Sequence, residues 1–367
     1  MKKAYTMAAL IAALAGNLIA AEKTVKVFIL AGQSNMVGHG KTEMGRNPKY
    51  DKNDKSTHRE VKNGIGCLRW YVEKNQTKYG AKGTMPLMDS EGNWLVRDDV
   101  FVHSTGKSGV EKGKLKPTFG AGNWFGPEFG FGHVVGDHFK EPVLIIKTSW
   151  GGHSLGHNFR PPSSGPFEFP KEVVERWRKN VGKHGVPKDI DKHIADAAKT
   201  AGQSYRNMMA IVKDVLANKD TYFPELKGHK PELVGFGWHQ GWNDGCNDAL
   251  TAEYEKNMTN FIKDVRKDLG VPNLPFVIAN TGQNGRSEKA NQGRFGTLCE
   301  IQMGMGDPRK HPEFAGTVIS VETRDFKRPT EQSPSGFGYH WNHNGETHFL
   351  VGEAMGNAAV KLQTKSR

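Results

Sequence analysis

The stretch LAGQSNMVGHG, Leu30–Gly40, follows directly on the apolar run VKVFI and decides how the chain is read. A strand-like run ends there in Gly32-Gln33-Ser34-Asn35. Small residues at that point let the backbone turn sharply and expose the Ser34 hydroxyl. A serine at a strand end forms a turn, caps a helix or acts as a nucleophile. If a helix starts there, its N-terminal N–H groups favour a developing anion. The rest of the sequence has to choose.

Four further runs resemble the first: PVLIIKTS (142–149), LVGFGWH (233–239), PFVIAN (275–280) and TVISVE (317–322). Near-continuous apolar character suits strands covered on both faces, as in a parallel sheet. Helical patterns lie between them. Residues 193–219 place Ile194, Ala197, Ala201, Met208, Ile211, Val212 and Val215 at helical spacing. Residues 252–270 do the same with Tyr254, Met258, Phe261, Ile262, Val265 and Leu269, and Gly270 is a stop signal. The tail THFLVGEAMGNAAVKLQ reads as a final helix. Strands alternating with helices mean α/β with right-handed crossovers.

Residues 39–125 break this rhythm, being rich in Gly, Lys, Asn and Asp. A structureless loop of that length is unusual in a compact domain. The segment reads as an insertion with small β elements, packed beside the sheet. GGHSLGHNFRPPSSGPFEFP, from Gly151, reads as a rigid Pro-rich loop.

The 367 residues open with Lys2 and Lys3, a short apolar run over Met7–Ile19, and Ala20-Ala21. That is the pattern of a cleaved signal peptide over residues 1–21, too short and Ala-rich for a good span. The expectation is a single domain over 22–367, exported to the periplasm or outside the cell, with no stable membrane association. The net charge of +12 becomes +10 once Lys2 and Lys3 are lost (49 minus 39). The basic residues are dispersed without a recognition-helix or finger signature, so no nucleic-acid partner is expected. An acidic polymer or cell-surface partner suits the charge better. Cys67, Cys246 and Cys299 allow one disulfide and leave one thiol over.

In an open parallel sheet, sites gather at the carboxyl ends of the strands. After the second run comes SWGGHSL, where the N–H groups at Gly151 and Gly152 suit an oxyanion hole or form a plain glycine turn. After the third comes WHQGWNDG, Trp238–Gly245. Gln240 and Asn243 carry amide donors there, and Asp244 either orients a base or caps the next helix. Near the C-terminus, GYHWNHNGETHFLVGEAMG holds His340, His343 and His348. A nucleophilic serine needs a base, and histidine is the usual one. His340 and His343 raise the competing idea of a metal, but HExxH and comparable ligand sets are missing, so neither metal nor cofactor is expected. Serine, glycine N–H groups, amides and histidine together are the parts of an acyl-transfer site.

With these blocks in view, the chain resembles the SGNH hydrolase superfamily, specifically the sialate O-acetylesterase-like carbohydrate esterases, which include acetylxylan esterases of carbohydrate esterase family 6. The resemblance is carried by GQSNMVG (32–38), GPEFGFG (126–132), KTSWGGHSL (147–155), WHQGWND (238–244) and YHWN…GETHFLVGEAMG from 339 onward. It implies a flavodoxin-like three-layer α/β/α fold with a five-stranded parallel sheet in the order 2-1-3-4-5. It implies Ser34 as nucleophile, with the N–H groups of Ser34 and Gly152 (or Gly151) in the oxyanion hole. Asn243 is implied as a donor to the oxyanion, with Gln240 its rival. His340 is implied as the base over His343, because a His-aromatic pair stands twelve residues before Gly352.

Two departures from the family pattern stand out. Trp242 replaces the Glu found in many relatives, and Phe337 stands where an orienting Asp precedes the base. Asp244, or a backbone carbonyl in a Ser-His dyad, is left to orient the imidazole. The resemblance implies a secreted acetylesterase acting on O-acetylated sugars or polysaccharides by a serine-histidine acyl-enzyme mechanism. Trp150, Trp242 and Trp341 are candidates for stacking on sugar rings or for core packing. The alternatives are a glycan-binding protein without catalysis, a lipid or aryl esterase, and a His-metal hydrolase.

Overall fold

The computed structural model describes residues 22–43, 64–106, 109–122, 124–287 and 292–365. The expected signal peptide, and part of the expected insertion, lie outside them.

The five apolar runs are all strands of one sheet: β1 (Thr24–Gly32), β4 (Val143–Ser149), β5 (Lys230–His239), β6 (Phe276–Ala279) and β7 (Val318–Val321). Two more, β2 (Arg97–Gly106) and β3 (Gly109–Leu115), come from the segment read as an insertion. The sheet is seven-stranded in the order β3-β2-β4-β1-β5-β6-β7. The expected count of five is therefore corrected to seven. β2 runs parallel to β4, and only β3 is antiparallel to its neighbour. These two strands join the sheet itself instead of packing beside it. Their sequences are half polar, because β3 is an edge strand whose first four residues are exposed. Lys and Gly on such an edge discourage pairing with another chain.

β1 explains the layering. Val25, Val27, Ile29 and Ala31 point to one face, Phe28 and Leu30 to the other, and all are buried. The first face packs on Met208 and Val212 from the helix Gln203–Ala217 and on Phe261 and Ile262 from the helix Asp248–Leu269. The second face packs on Phe129 and Phe131 from α2 (Pro127–His138) and on Phe349 and Met355 from α3 (Gly345–Lys365), the last helix. α2 and α3 cross with their backbones nearly touching. A methyl group added at Gly352 would lie 2.0 Å from the Pro127 carbonyl oxygen, and one at Gly130 would lie 2.3 Å from that of Phe349. Two glycine-rich blocks far apart in the chain are thus two halves of one contact.

The helix expected over 193–219 is two helices, Ile190–Thr200 and Gln203–Ala217, broken where Gly202 adopts φ 71°. The helix ending before Gly270 starts at Asp248 and stops as expected, with Gly270 at φ 67°. The Pro-rich loop is held by Arg160, whose guanidinium donates to the carbonyls of Gly156, Ser164 and Gly165. All three cysteines are free, Cys67 and Cys299 buried and Cys246 exposed, so the one disulfide their number allows is not formed. Among the described residues, no helix is long and apolar enough to cross a membrane.

Candidate active site

β1 ends at Gly32, Gln33 is extended, and the chain turns at once into α1, the four-residue turn Ser34–Val37. The N–H groups of Met36 and Val37 both reach the Gln33 carbonyl, at 2.8 and 2.9 Å. A turn this short carries no helix dipole of consequence, so the expected help to an anion from a following helix is not available. What anchors α1 is a buried cation. Lys147, in the middle of β4, donates to the Val37 carbonyl at 2.8 Å, the Phe119 carbonyl at 2.6 Å and Glu128 Oε2 at 2.6 Å. The other Glu128 oxygen accepts the Gly126 N–H at 2.8 Å. Both side chains are fully buried. Burial pushes the Lys147 pKa down, and the Glu128 carboxylate opposes that. Every charged atom in the pair has a partner, as a buried ion pair requires.

Behind Ser34 lies an amide network. Gln33 Oε1 accepts from Gly241 N–H at 3.1 Å, Asn243 N–H at 3.3 Å and Gln240 Nε2 at 3.1 Å. Two backbone donors demand an oxygen there, which fixes the Gln33 amide. Its nitrogen must then face Asn243 Oδ1, at 3.1 Å. Asn243 is fixed in turn, and its Nδ2 remains for the cavity that Asn243 borders. Gln240 is spent differently. Its nitrogen reaches Asp244 Oδ2 at 2.6 Å and the His153 carbonyl at 3.1 Å, while its oxygen accepts from Tyr254 Oη at 3.2 Å.

Asp244 is buried within the same network. Its two oxygens accept the N–H groups of Leu155 and Gly156, each at 2.9 Å, and the Gln240 amide. Burial pushes its carboxyl up to about 6, against the pull of these three donors. The expectation that Asp244 orients the base is therefore replaced by a different placement. It ties the loop after β4 to the loop after β5, and its hydrogen bonds among the described residues go to those loops, not to a histidine.

The cavity in front of Ser34 has a volume of about 770 Å³ and is bordered by Ser34, Gly151, Gly152, Trp242, Asn243 and His340, among others. Gly152 has φ 80°, a conformation that favours glycine. Trp242 rests against Phe295, ring centroids 4.7 Å apart. Asn35 and Gln283 also face the cavity, joined by a 3.0 Å hydrogen bond.

His340 reaches the cavity from a turn of unusual hand. His340, Trp341, Asn342 and His343 have φ of 51°, 53°, 54° and 59°, one left-handed turn without a glycine. Each such residue costs about 1–2 kcal/mol. The surroundings hold it there. Asn342 Oδ1 accepts the Gly338 N–H at 2.8 Å, its carbonyl accepts the Ser335 N–H at 3.0 Å, and Ser335 Oγ meets His343 Nδ1 at 2.8 Å. Asn344 bonds back to Gln332 and Ser333. The reversed hand turns Trp341 inward, where it is 3 % exposed in the core beside α3. Trp341 is thus a core residue, and its expected role in stacking on sugar is withdrawn. His343 and His348 are buried as well, and burial pushes the His348 pKa well below the usual imidazole range.

The comparisons with known proteins bear on this site. Residues 24–305 match the family described as carbohydrate esterase, sialic acid-specific acetylesterase. The chain belongs to that family. Members are esterases acting on acetyl esters of carbohydrates, on an SGNH-like α/β fold. No curated protein sequence matches the chain. Among solved structures, the chain is similar to a protein from Arabidopsis thaliana at 15 % identity and a TM-score of 0.49, over 92 % of this chain and 98 % of that one. It is similar also to a carbohydrate acetylesterase from Xanthomonas citri at 14 % identity and a TM-score of 0.47, over 91 % of this chain and 55 % of that one.

In this acetylesterase family member, the ring of His39 stacks on His340, centroids 3.8 Å apart and 11° from parallel. Ring nitrogens of His39, His340 and His343 lie within 4.8 Å of one another. Three imidazoles are a donor set for zinc. In a near-parallel stack, however, the in-plane lone pairs of His39 and His340 run side by side and do not converge on one point.

Sequence reasoning passed over Gln33, although it stands inside the quoted GQSN block, and Lys147, although a lysine inside PVLIIKTS is a clear anomaly. His39 carried no signal beyond its nearness to Ser34.

Proposed function

We propose that this esterase removes O-acetyl groups from sugars or polysaccharides through an acetyl-enzyme on Ser34. The observation that carries the reading is the shared cavity of Ser34, Gly152, Asn243 and His340, with the Asn243 amide nitrogen left facing it by Gln33. His340 takes the Ser34 proton as Oγ attacks the acetyl carbonyl. The oxyanion is held by the N–H groups of Ser34 and Gly152 and by Asn243 Nδ2. The C–O bond to the sugar breaks, and the leaving oxygen takes the proton from His340. Water, deprotonated by His340, then attacks the acetyl-serine and releases acetate. Gln240 and Asp244 support this site from behind, and the left-handed turn with the His39 stack orients the imidazole. Trp242 offers a ring face to the sugar.

Within the family, the reading extends to an acetylxylan-esterase-like enzyme of carbohydrate esterase family 6. The N-terminal pattern supports export to the periplasm or beyond, with residues 22–367 as one esterase domain; N-terminal sequencing of the product recovered outside the cytoplasm checks that.

The test is acetate release from acetylated xylan, acetylated pectin, O-acetyl sialic acid and 4-nitrophenyl acetate by wild type and Ser34→Ala. Release by wild type that vanishes in a folded Ser34→Ala supports the mechanism. Release that survives the substitution refutes it, and no release by wild type favours a glycan-binding protein.

A further inference from the structure

One wall of the cavity comes from the strands that the apolar pattern did not reveal. Ser104 and Gly106 of β2 and Gly109, Val110 and Glu111 of β3 face the same space as Ser34. The sheet register measures how far off they are. Glu111 pairs with Ser104, Ser104 with Lys147, and Lys147 with Leu30 of β1. Glu111 therefore stands three strand spacings, about 14 Å, from the strand that ends at Ser34. That span exceeds one sugar ring, so this wall meets a neighbour of the acetylated sugar, not the acetyl group.

The chemistry of the wall is particular. Among the described residues bordering the cavity, Glu111 is the one carboxylate, alongside His39, His340 and Tyr339, and arginine and lysine are missing from that set. The same cavity is also bordered by small or apolar residues, among them Gly120, Ala121, Gly122, Phe119 and Val110. The Thr118 hydroxyl lies 3.5 Å from Glu111 Oε1, leaving most of the acceptor capacity open. A chain of net charge +12 thus presents a negative group at its cavity wall.

We propose that the β2–β3 hairpin forms a subsite for a neutral sugar unit next to the acetylated one. Glu111 accepts hydrogen bonds from its hydroxyls and repels uronic and sialic acids. The proposal rests on the esterase reading above and narrows its substrate class. An ionised carboxylate accepts hydroxyl donors strongly. It disfavours a second carboxylate across a few ångströms. Of the two cations that act on Glu111, Lys147 is buried and already paired with Glu128, and Lys116 is exposed, where solvent and salt screen it.

The test compares kcat/KM for acetate release from acetylated xylo-oligosaccharides, acetylated oligogalacturonides and O-acetyl sialic acid. The readout is the ratio of neutral to anionic substrates, for wild type, Glu111→Gln and Glu111→Lys. Wild type is expected to prefer the neutral substrate by about tenfold or more, a difference of ~1.4 kcal/mol. Glu111→Gln narrows the ratio and Glu111→Lys abolishes or inverts it. A merely structural role lowers all three substrates together and leaves the ratio where it was, which overturns the proposal. Equal or better turnover of the anionic substrates by wild type also overturns it. Failure of wild type on every substrate, 4-nitrophenyl acetate included, overturns the esterase reading itself.

Discussion

Gln33 donates its side-chain N–H to Asn243 Oδ1 at 3.1 Å, across 210 residues of sequence, while its own oxygen is held by two backbone donors. One residue before the proposed nucleophile therefore decides which way the proposed oxyanion donor points. Asn243→Ala is expected to lower kcat by about 10²–10³-fold with little change in KM, the range for loss of one such donor. Gln33→Leu leaves Asn243 in place but unoriented and should cost less, still mainly in kcat. Equal kcat for wild type and Asn243→Ala would remove Asn243 from the mechanism.

The Lys147–Glu128 pair makes a stability prediction. Lys147→Met strands a buried carboxylate, and Glu128→Leu strands a buried ammonium. Each is expected to cost about 3–5 kcal/mol in urea unfolding. The double variant should cost clearly less than the two together. Strict additivity would mean that the two side chains do not act as a unit.

Opposed titrations set the pH dependence of stability. The fold favours protonated Asp244, so its contribution is present below the ordinary carboxyl value and is lost as pH rises through about 6. Burial depresses His133 to about 3 and His239 to about 4. Their contributions are present above the ordinary imidazole value and lost as pH falls towards those figures. Down to pH 4, at ~1.4 kcal/mol per pKa unit, His133 and His239 each lose about 3 kcal/mol while Asp244 gains about 3. The histidines win, and unfolding free energy should fall from pH 7 to pH 4. His133→Phe should flatten that slope and Asp244→Asn should steepen it. Slopes changing in the opposite directions would contradict these assignments.

The left-handed turn predicts a difference between two small substitutions. Asn342→Gly and Asn342→Ala both lose the hydrogen bond to the Gly338 N–H. Alanine keeps the Cβ strain that Asn342 already bears at φ 54°, whereas glycine relieves it, a difference of about 1–2 kcal/mol between the two variants. Alanine should therefore be the less stable and the slower of the two, with the loss in kcat. Thermal melting and initial rates for the pair separate strain from the lost bond.

The five strands buried on both faces were legible in the sequence because burial on both sides writes an unbroken apolar run. β2 and β3 could be read only as small β elements of an insertion, since β3 is an edge strand largely facing solvent and β2 beside it opens on Arg97, Asp98 and Asp99. That Ser34, Asn243 and His340 would come to one cavity could be read because strand ends are where polar residues stand out against apolar ones. Asp244 was misassigned because a buried carboxylate can be satisfied by two loop N–H groups as well as by an imidazole, and local sequence does not say which. Trp341 was misassigned because a right-handed and a left-handed turn send the same residue to opposite sides. Gln33 and Lys147 owe their roles to partners that only the register of the finished sheet brings near.

The crossing of α2 and α3 through Gly130 and Gly352 also has a consequence in time. His340 stands just before α3, in the last tenth of the chain, whereas Ser34 stands near its beginning. A nascent or truncated chain lacking the final helix leaves the second face of the sheet uncovered and has nothing to seat the histidine turn against the cavity. Activity would then be the last property gained in refolding and the first lost in unfolding from the C-terminus, which makes turnover itself a clock for completion of the fold.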